Sequence, residues 1–147
     1  MYQLVLMLHV LGATIWTGGH LVLACSVLPA ALRRRSPEVL LQFEAGFEKL
    51  GMPALVIQVL SGLWLASLRL PSLSSWFRFE TVDERLAATK IILLLATIAL
   101  AANARLRVIP RLHAGNLHVL AWHIGAVTVI SVLFVIVGVA FRTGGLF

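Results

Sequence analysis

The stretch YQLVLMLHVLGATIWTGGHLVLACSVLPAAL, Tyr2–Leu32, contains no Asp, Glu, Lys or Arg and is closed by Arg33-Arg34-Arg35. Crossing the hydrocarbon core of a bilayer takes about 20 apolar residues at 1.5 Å rise each, so this segment spans as a helix with turns to spare. It is too long, and too poor in basic residues at its start, to read as a cleavable signal peptide. The chain therefore begins its fold in lipid.

The remainder follows the same pattern. Of the 147 residues, 60% are apolar and 12% charged, and mean hydropathy is +0.97, which excludes a soluble domain. Beside the first span at about 2–32, further spans are expected at about 52–70, 86–107 and 112–141. The fold expected is all-α: an integral-membrane four-helix up-and-down bundle, a single transmembrane domain over the whole chain. Its net charge of +6 points to the anionic headgroups of the lipid bilayer and not to nucleic acid. A lone cysteine, Cys25, excludes an internal disulfide.

The connections carry their own signals. Ser36-Pro37-Glu38 reads as a helix start, with a capping serine and a first-turn proline. Val39, Phe43, Phe47 and Leu50 then recur at helical spacing opposite Gln42, Glu48 and Lys49. This predicts a short amphipathic helix lying along the interface before Pro53, with a docking helix for a partner as the alternative. Between the second and third spans, Pro71 to Phe79 mixes turn formers with Trp76, Phe77 and Phe79, residues suited to the headgroup layer. Thr81-Val82-Asp83-Glu84 reads as a capping box opening the third helix.

Basic residues orient the bundle. Arg33, Arg34, Arg35, Lys49, Arg105, Arg107 and Arg111 lie on one side, against Arg69, Arg78, Arg85, Lys90 and Arg142 on the other. The excess predicts a multi-pass protein with both termini outside the cytoplasm.

Histidine is where function is expected, because an imidazole in lipid is expensive. At 100° per residue His9 and His20 fall about 20° apart on one face of the first helix, with Trp16 beside them. Gly12 and Gly19 flank this stripe and admit a neighbouring helix or a flat ligand. Depth separates the histidines further. His20 and His123 lie ~7 and ~9 Å from the midplane on the same side, level with each other in antiparallel helices. His9 lies ~10 Å toward the other surface, at the height of Lys90. His118 and His113 read as interfacial and loop residues.

Two level histidines on two helices are the minimum for bis-imidazole ligation of haem b. In that reading His20 and His123 are axial ligands. His9 then serves a second haem, a substrate or a redox partner such as quinone, and Lys90 holds a propionate or an anionic substrate, or else snorkels to the headgroups. Hydrogen bonding of the histidines between helices is the structural alternative, fitting a non-catalytic assembly subunit. A homo-oligomer is a further expected partner state.

Several segments resemble a known family. LHVLGATIWTGG at Leu8–Gly19, Pro29 closing the first span, TKIILLL from Thr89, NARLRVIP at Asn103–Pro110 and VGVAFRTGG at Val137–Gly145 together resemble the copper-resistance D-like membrane proteins. The resemblance implies a four-helix module of the bacterial inner membrane connected with copper uptake or resistance. The alternative to haem is then a copper-handling protein in which His9 and His20, on one helix face, are stations for the ion. A Cu(I) path favours soft sulfur ligands, of which only Met7, Cys25 and Met52 lie in or at the spans. The chain is also similar to the membrane-embedded bacterial protoporphyrinogen oxidases. His9, Trp16 and Gly19 match their first-helix pattern and Lys90 their lysine, which implies a haem-dependent oxidoreductase. HLVLACSVLP follows Gly19 where those enzymes have an FYLPRL-type sequence.

Overall fold

Lipid offers no partner to a backbone amide, so each apolar segment satisfies its own hydrogen bonds as a helix. The computed structural model describes residues 1–70 and 72–145, and its four long helices are α1 (Tyr2–Arg34), α2 (Pro37–Ser67), α3 (Val82–Arg111) and α4 (Leu117–Thr143). All four are long and apolar enough to cross a membrane. Contacts at the ends establish the up-and-down course. At one end the Tyr2 hydroxyl meets Arg142, and Arg69 reaches Asp83 and the Phe141 carbonyl. At the other, Ala31, Leu40, Val108, Leu117, Leu120 and Ile124 form a core joining all four helices. These are called the termini end and the arginine end below.

The turns at the arginine end are tight. Arg35 takes a left-handed conformation at φ 50°, and the Ser36 N–H returns to the Ala31 carbonyl. Ser36 sits at the N-cap of α2 as expected, but its hydroxyl donates to the Glu38 carboxylate instead of capping a backbone amide. The capping box at the start of α3 forms as read. Thr81 Oγ1 accepts from the Glu84 N–H, and Glu84 accepts from the Thr81 N–H.

Two prolines explain two irregular turns. Pro29 and Pro110 each lack an amide proton and crowd the carbonyl four residues earlier. Each is preceded by a π-helical turn, Leu23–Val27 in α1 and Ala104–Val108 in α3, which absorbs the mismatch and keeps the helix continuous.

The interfacial helix expected before Pro53 does not exist as a separate element. Residues from Pro37 onward run straight into the second span as one helix of 31 residues, about 46 Å long against a core of about 30 Å. Part of its apolar face packs on protein, with Val39, Phe43 and Phe47 half-buried and Leu50 left exposed. Leu40 is 2% exposed in the arginine-end core, and the Phe47 ring rests on Gly19 of α1. Glu44 and Glu48 pair with Arg105 of α3 at 3.6 and 3.1 Å. The fourth helix starts at Leu117 rather than near 112, because Asn116 folds the preceding residues into a turn. Its Oδ1 accepts from the His113 N–H, and its Nδ2 donates to the Arg111 carbonyl.

Trp76 also departs from expectation. In the short 3₁₀ turn Leu73–Phe77 it is buried, donating to the Leu70 carbonyl at 2.9 Å and packing on Ala87 and Phe141, while Phe77 and Phe79 stay exposed. Pro71 lies outside the described residues.

Packing around the bundle is uneven. α1 lies closely along α2, α3 along α4, and α1 against α4, whereas α2 and α3 share little interface. Gly12 permits the closest approach: a Cβ there would stand 2.9 Å from the Ala54 carbonyl oxygen and 3.2 Å from Gln58 Cβ. Two hydroxyls link α1 to α4, Thr17 Oγ1 to the Ser131 carbonyl and Thr128 Oγ1 to the His20 carbonyl. Gly12→Val is expected to force α1 from α2 and destabilise the bundle by about 1–3 kcal/mol. Unfolding in detergent checks this, and Gly18→Val, with nothing within 4 Å of its Cβ, is the control.

Candidate functional site

His9 lies on the face of α1 turned to α2. Its Nδ1 stands 2.9 Å from the Gln58 carbonyl and 3.0 Å from Ser61 Oγ, and Ser61 in turn donates to the Ile57 carbonyl. A carbonyl only accepts, so Nδ1 carries the proton and, in the neutral ring, Nε2 presents a lone pair. The ring rests on Gly62, where a Cβ would fall 2.9 Å from His9 Cε1. This is the orientation given to ligand histidines, one nitrogen pinned to a carbonyl and the other offered.

Beside it, Gln58 Oε1 is buried with no hydrogen-bond partner among the described residues. An orphaned buried acceptor is costly unless something donates to it or coordinates it. Gln58 was not singled out in the sequence, yet it is the one side-chain amide between Met52 and Leu70. A carboxamide alone in an apolar span was the available signal.

His9, Gln58 and Lys90 line one cavity of about 740 Å³ in the half of the bundle toward the termini end. All four helices contribute, and the cavity occupies the room left by the loose α2–α3 seam. Trp16 and Thr17 line it deeper in the bundle, and Tyr2, Arg69 and Arg142 line it toward the termini end. Lys90 extends toward that end, its Nζ 4.9 Å from the centre of the Phe141 ring. His9 and Lys90, expected at one height, thus share one chamber.

His20 and His123 serve different neighbours. The His20 Nδ1 donates to the Trp16 carbonyl at 2.8 Å, and its ring packs on Trp16 at 4.5 Å and edge-on to Phe47 of α2 at 5.8 Å. In His123, Nδ1 donates to the Val119 carbonyl while Nε2 stands 3.1 Å from the Asn103 side chain of α3. One ring turns to α2 and the other to α3, so the contacts do not assemble the expected pair of axial ligands. Gly19, expected to admit a helix or a flat ligand, is covered by Phe47, and Gly12 by α2.

The remaining metal-binding candidates are scattered. Cys25 is exposed, Met7 and Met52 are 58% and 50% exposed, and His113 closes its own loop by accepting from the Gly115 N–H. Among the described residues no three His, Cys, Asp or Glu side chains cluster as a metal site. The cavity offers an imidazole nitrogen, an amide oxygen and the hydroxyls of Tyr2, Thr14, Thr17, Thr97 and Thr143, with no sulfur among its described lining residues.

The separation of the two histidines is testable by fluorescence. In a variant retaining Trp16 as its only tryptophan, His20→Ala is expected to shift the emission and His123→Ala to leave it unchanged. Equal shifts would show that the two rings share surroundings.

Comparison with curated proteins and with solved structures yields no match. The family model for copper resistance protein D matches residues 41–141, from the second turn of α2 to the end of α4, which is more than half of the chain. On that match, and with four membrane-crossing helices in place, the chain belongs to the copper resistance protein D family.

Proposed function

We propose that this protein handles copper in the inner membrane, taking the ion at the cavity that holds His9. The family match carries the reading. The cavity supports it with two acceptors, His9 Nε2 oriented from behind by the Gln58 carbonyl and Ser61, and the unpartnered Gln58 Oε1. Nitrogen and oxygen donors without sulfur suit Cu(II) better than Cu(I). The Lys and Arg asymmetry of the sequence favours the cavity opening to the outer side of the membrane, with the ion entering from outside the cytoplasm. A haem between His20 and His123 draws no support from the arrangement, since His123 Nε2 is engaged by Asn103 and the His20 ring is packed against Trp16 and Phe47.

Metal analysis and Cu(II) titration of the detergent-purified protein test the proposal. One copper per chain is expected. His9→Ala is expected to lose it, and Ser61→Ala, which loosens the ring without removing the ligand, to weaken it by about tenfold. His20→Ala and His123→Ala should retain it. A wild-type protein that takes up no copper overturns the reading, and full copper content in His9→Ala removes His9 from it.

A further inference from the structure

The cavity is far larger than an ion requires. At about 740 Å³ it falls among the sites that hold small organic molecules, typically about 300–1,000 Å³. Its walls include Leu6, Leu94, Phe134 and Val135, and the α2–α3 seam gives it a side toward the bilayer.

Its charge is one-sided. Arg69 and Lys90 flank the Phe141 ring at 5.3 and 4.9 Å from its centre, and Arg142 follows next in the chain. Asp83 is held by Arg69 at 3.3 Å, and Arg142 meets the Tyr2 hydroxyl, which carries no charge. Among the described residues Lys90 has no ion pair and no hydrogen bond, only the face of Phe141. A cation within a span normally finds an anion or reaches water, so among the described residues this group of three cations and one carboxylate is short of negative charge. The acceptors His9 Nε2 and Gln58 Oε1 repel an anion, which confines it to the side of Lys90 and Arg142.

We propose that the cavity binds an anionic amphiphile, its carboxylate or phosphate head between Lys90 and Arg142 at the termini end and its apolar chain along the walls toward Trp16 and the α2–α3 seam. The head makes charge-assisted hydrogen bonds to the ammonium and guanidinium, and the chain fills apolar space that water wets poorly. A free fatty acid and an anionic phospholipid both present this chemistry.

Quenching of tryptophan by brominated acyl chains tests it. The probe is the full-length protein with Trp64 and Trp122 replaced by Phe, which leaves the cavity residues Trp16 and Trp76, in nanodiscs without copper. In one arm brominated stearic acid is compared with its methyl ester in phosphatidylcholine discs. In the other, discs of brominated phosphatidylglycerol are compared with brominated phosphatidylcholine. The expected result is saturable quenching that favours the anionic member of at least one pair by about tenfold, and the arm that discriminates names the source. Lys90→Gln should abolish the preference and Lys90→Arg retain it, which separates loss of charge from loss of fold. Equal quenching within both pairs, or a preference that survives Lys90→Gln, overturns the proposal. Because copper is absent throughout, the outcome is independent of the copper reading.

Discussion

The close contact of α1 with α2 is the interaction on which the rest depends. Between helices in lipid the hydrophobic effect offers little, so association rests on close packing and interhelical hydrogen bonds. Gly12 lets the α2 backbone approach at Ala54 and Gln58, and Gly62 gives the His9 ring its seat. Once the two helices are this near, His9 Nδ1 reaches the Gln58 carbonyl and Ser61, and the chemistry of the ring is decided. The same contact carries the first turns of α2 upright, with Phe47 over Gly19 and Leu40 in the arginine-end core.

Uneven packing then makes the cavity. Three seams of the bundle are close, while α2 and α3 meet chiefly through Arg105 with Glu44 and Glu48 at the arginine end. Toward the termini end the seam is loose, and there the polar side chains of α1, α2 and α3 face a common space. The π-turns before Pro29 and Pro110 lie toward the arginine end, away from this chamber. One half of the molecule is thus a packed core and the other a lined chamber.

Much of the fold was legible because lipid leaves the backbone few choices. Four apolar segments had to be helices, and the Thr81–Glu84 capping box marked the start of α3 one residue before the first helical turn. The amphipathic pattern from Val39 to Leu50 was legible too, but a stripe of phenylalanines does not say whether it faces lipid or protein. Only the presence of Gly19 opposite Phe47, and of Arg105 opposite the glutamates, turned it inward. Equal heights of His9 and Lys90 could be computed from helix rise, and the structure sets both in one cavity. Equal heights of His20 and His123 carried no such consequence, since depth along a helix leaves rotation about it free. Gln58 and Asn103 escaped notice because a single amide has no spacing to read.

By itself, then, the sequence determined the solvent, the number of helices and their antiparallel course, for these follow from hydrogen-bond satisfaction and segment length. Tertiary structure decided which faces meet: that His9 is pinned from behind in a cavity wall, that His123 is engaged by Asn103, and that Arg69 and Lys90 flank Phe141 while Arg142 stacks on Tyr2. Those outcomes depend on rotation and crossing of helices, which small residues at a few contact points control and which no periodicity within one helix records.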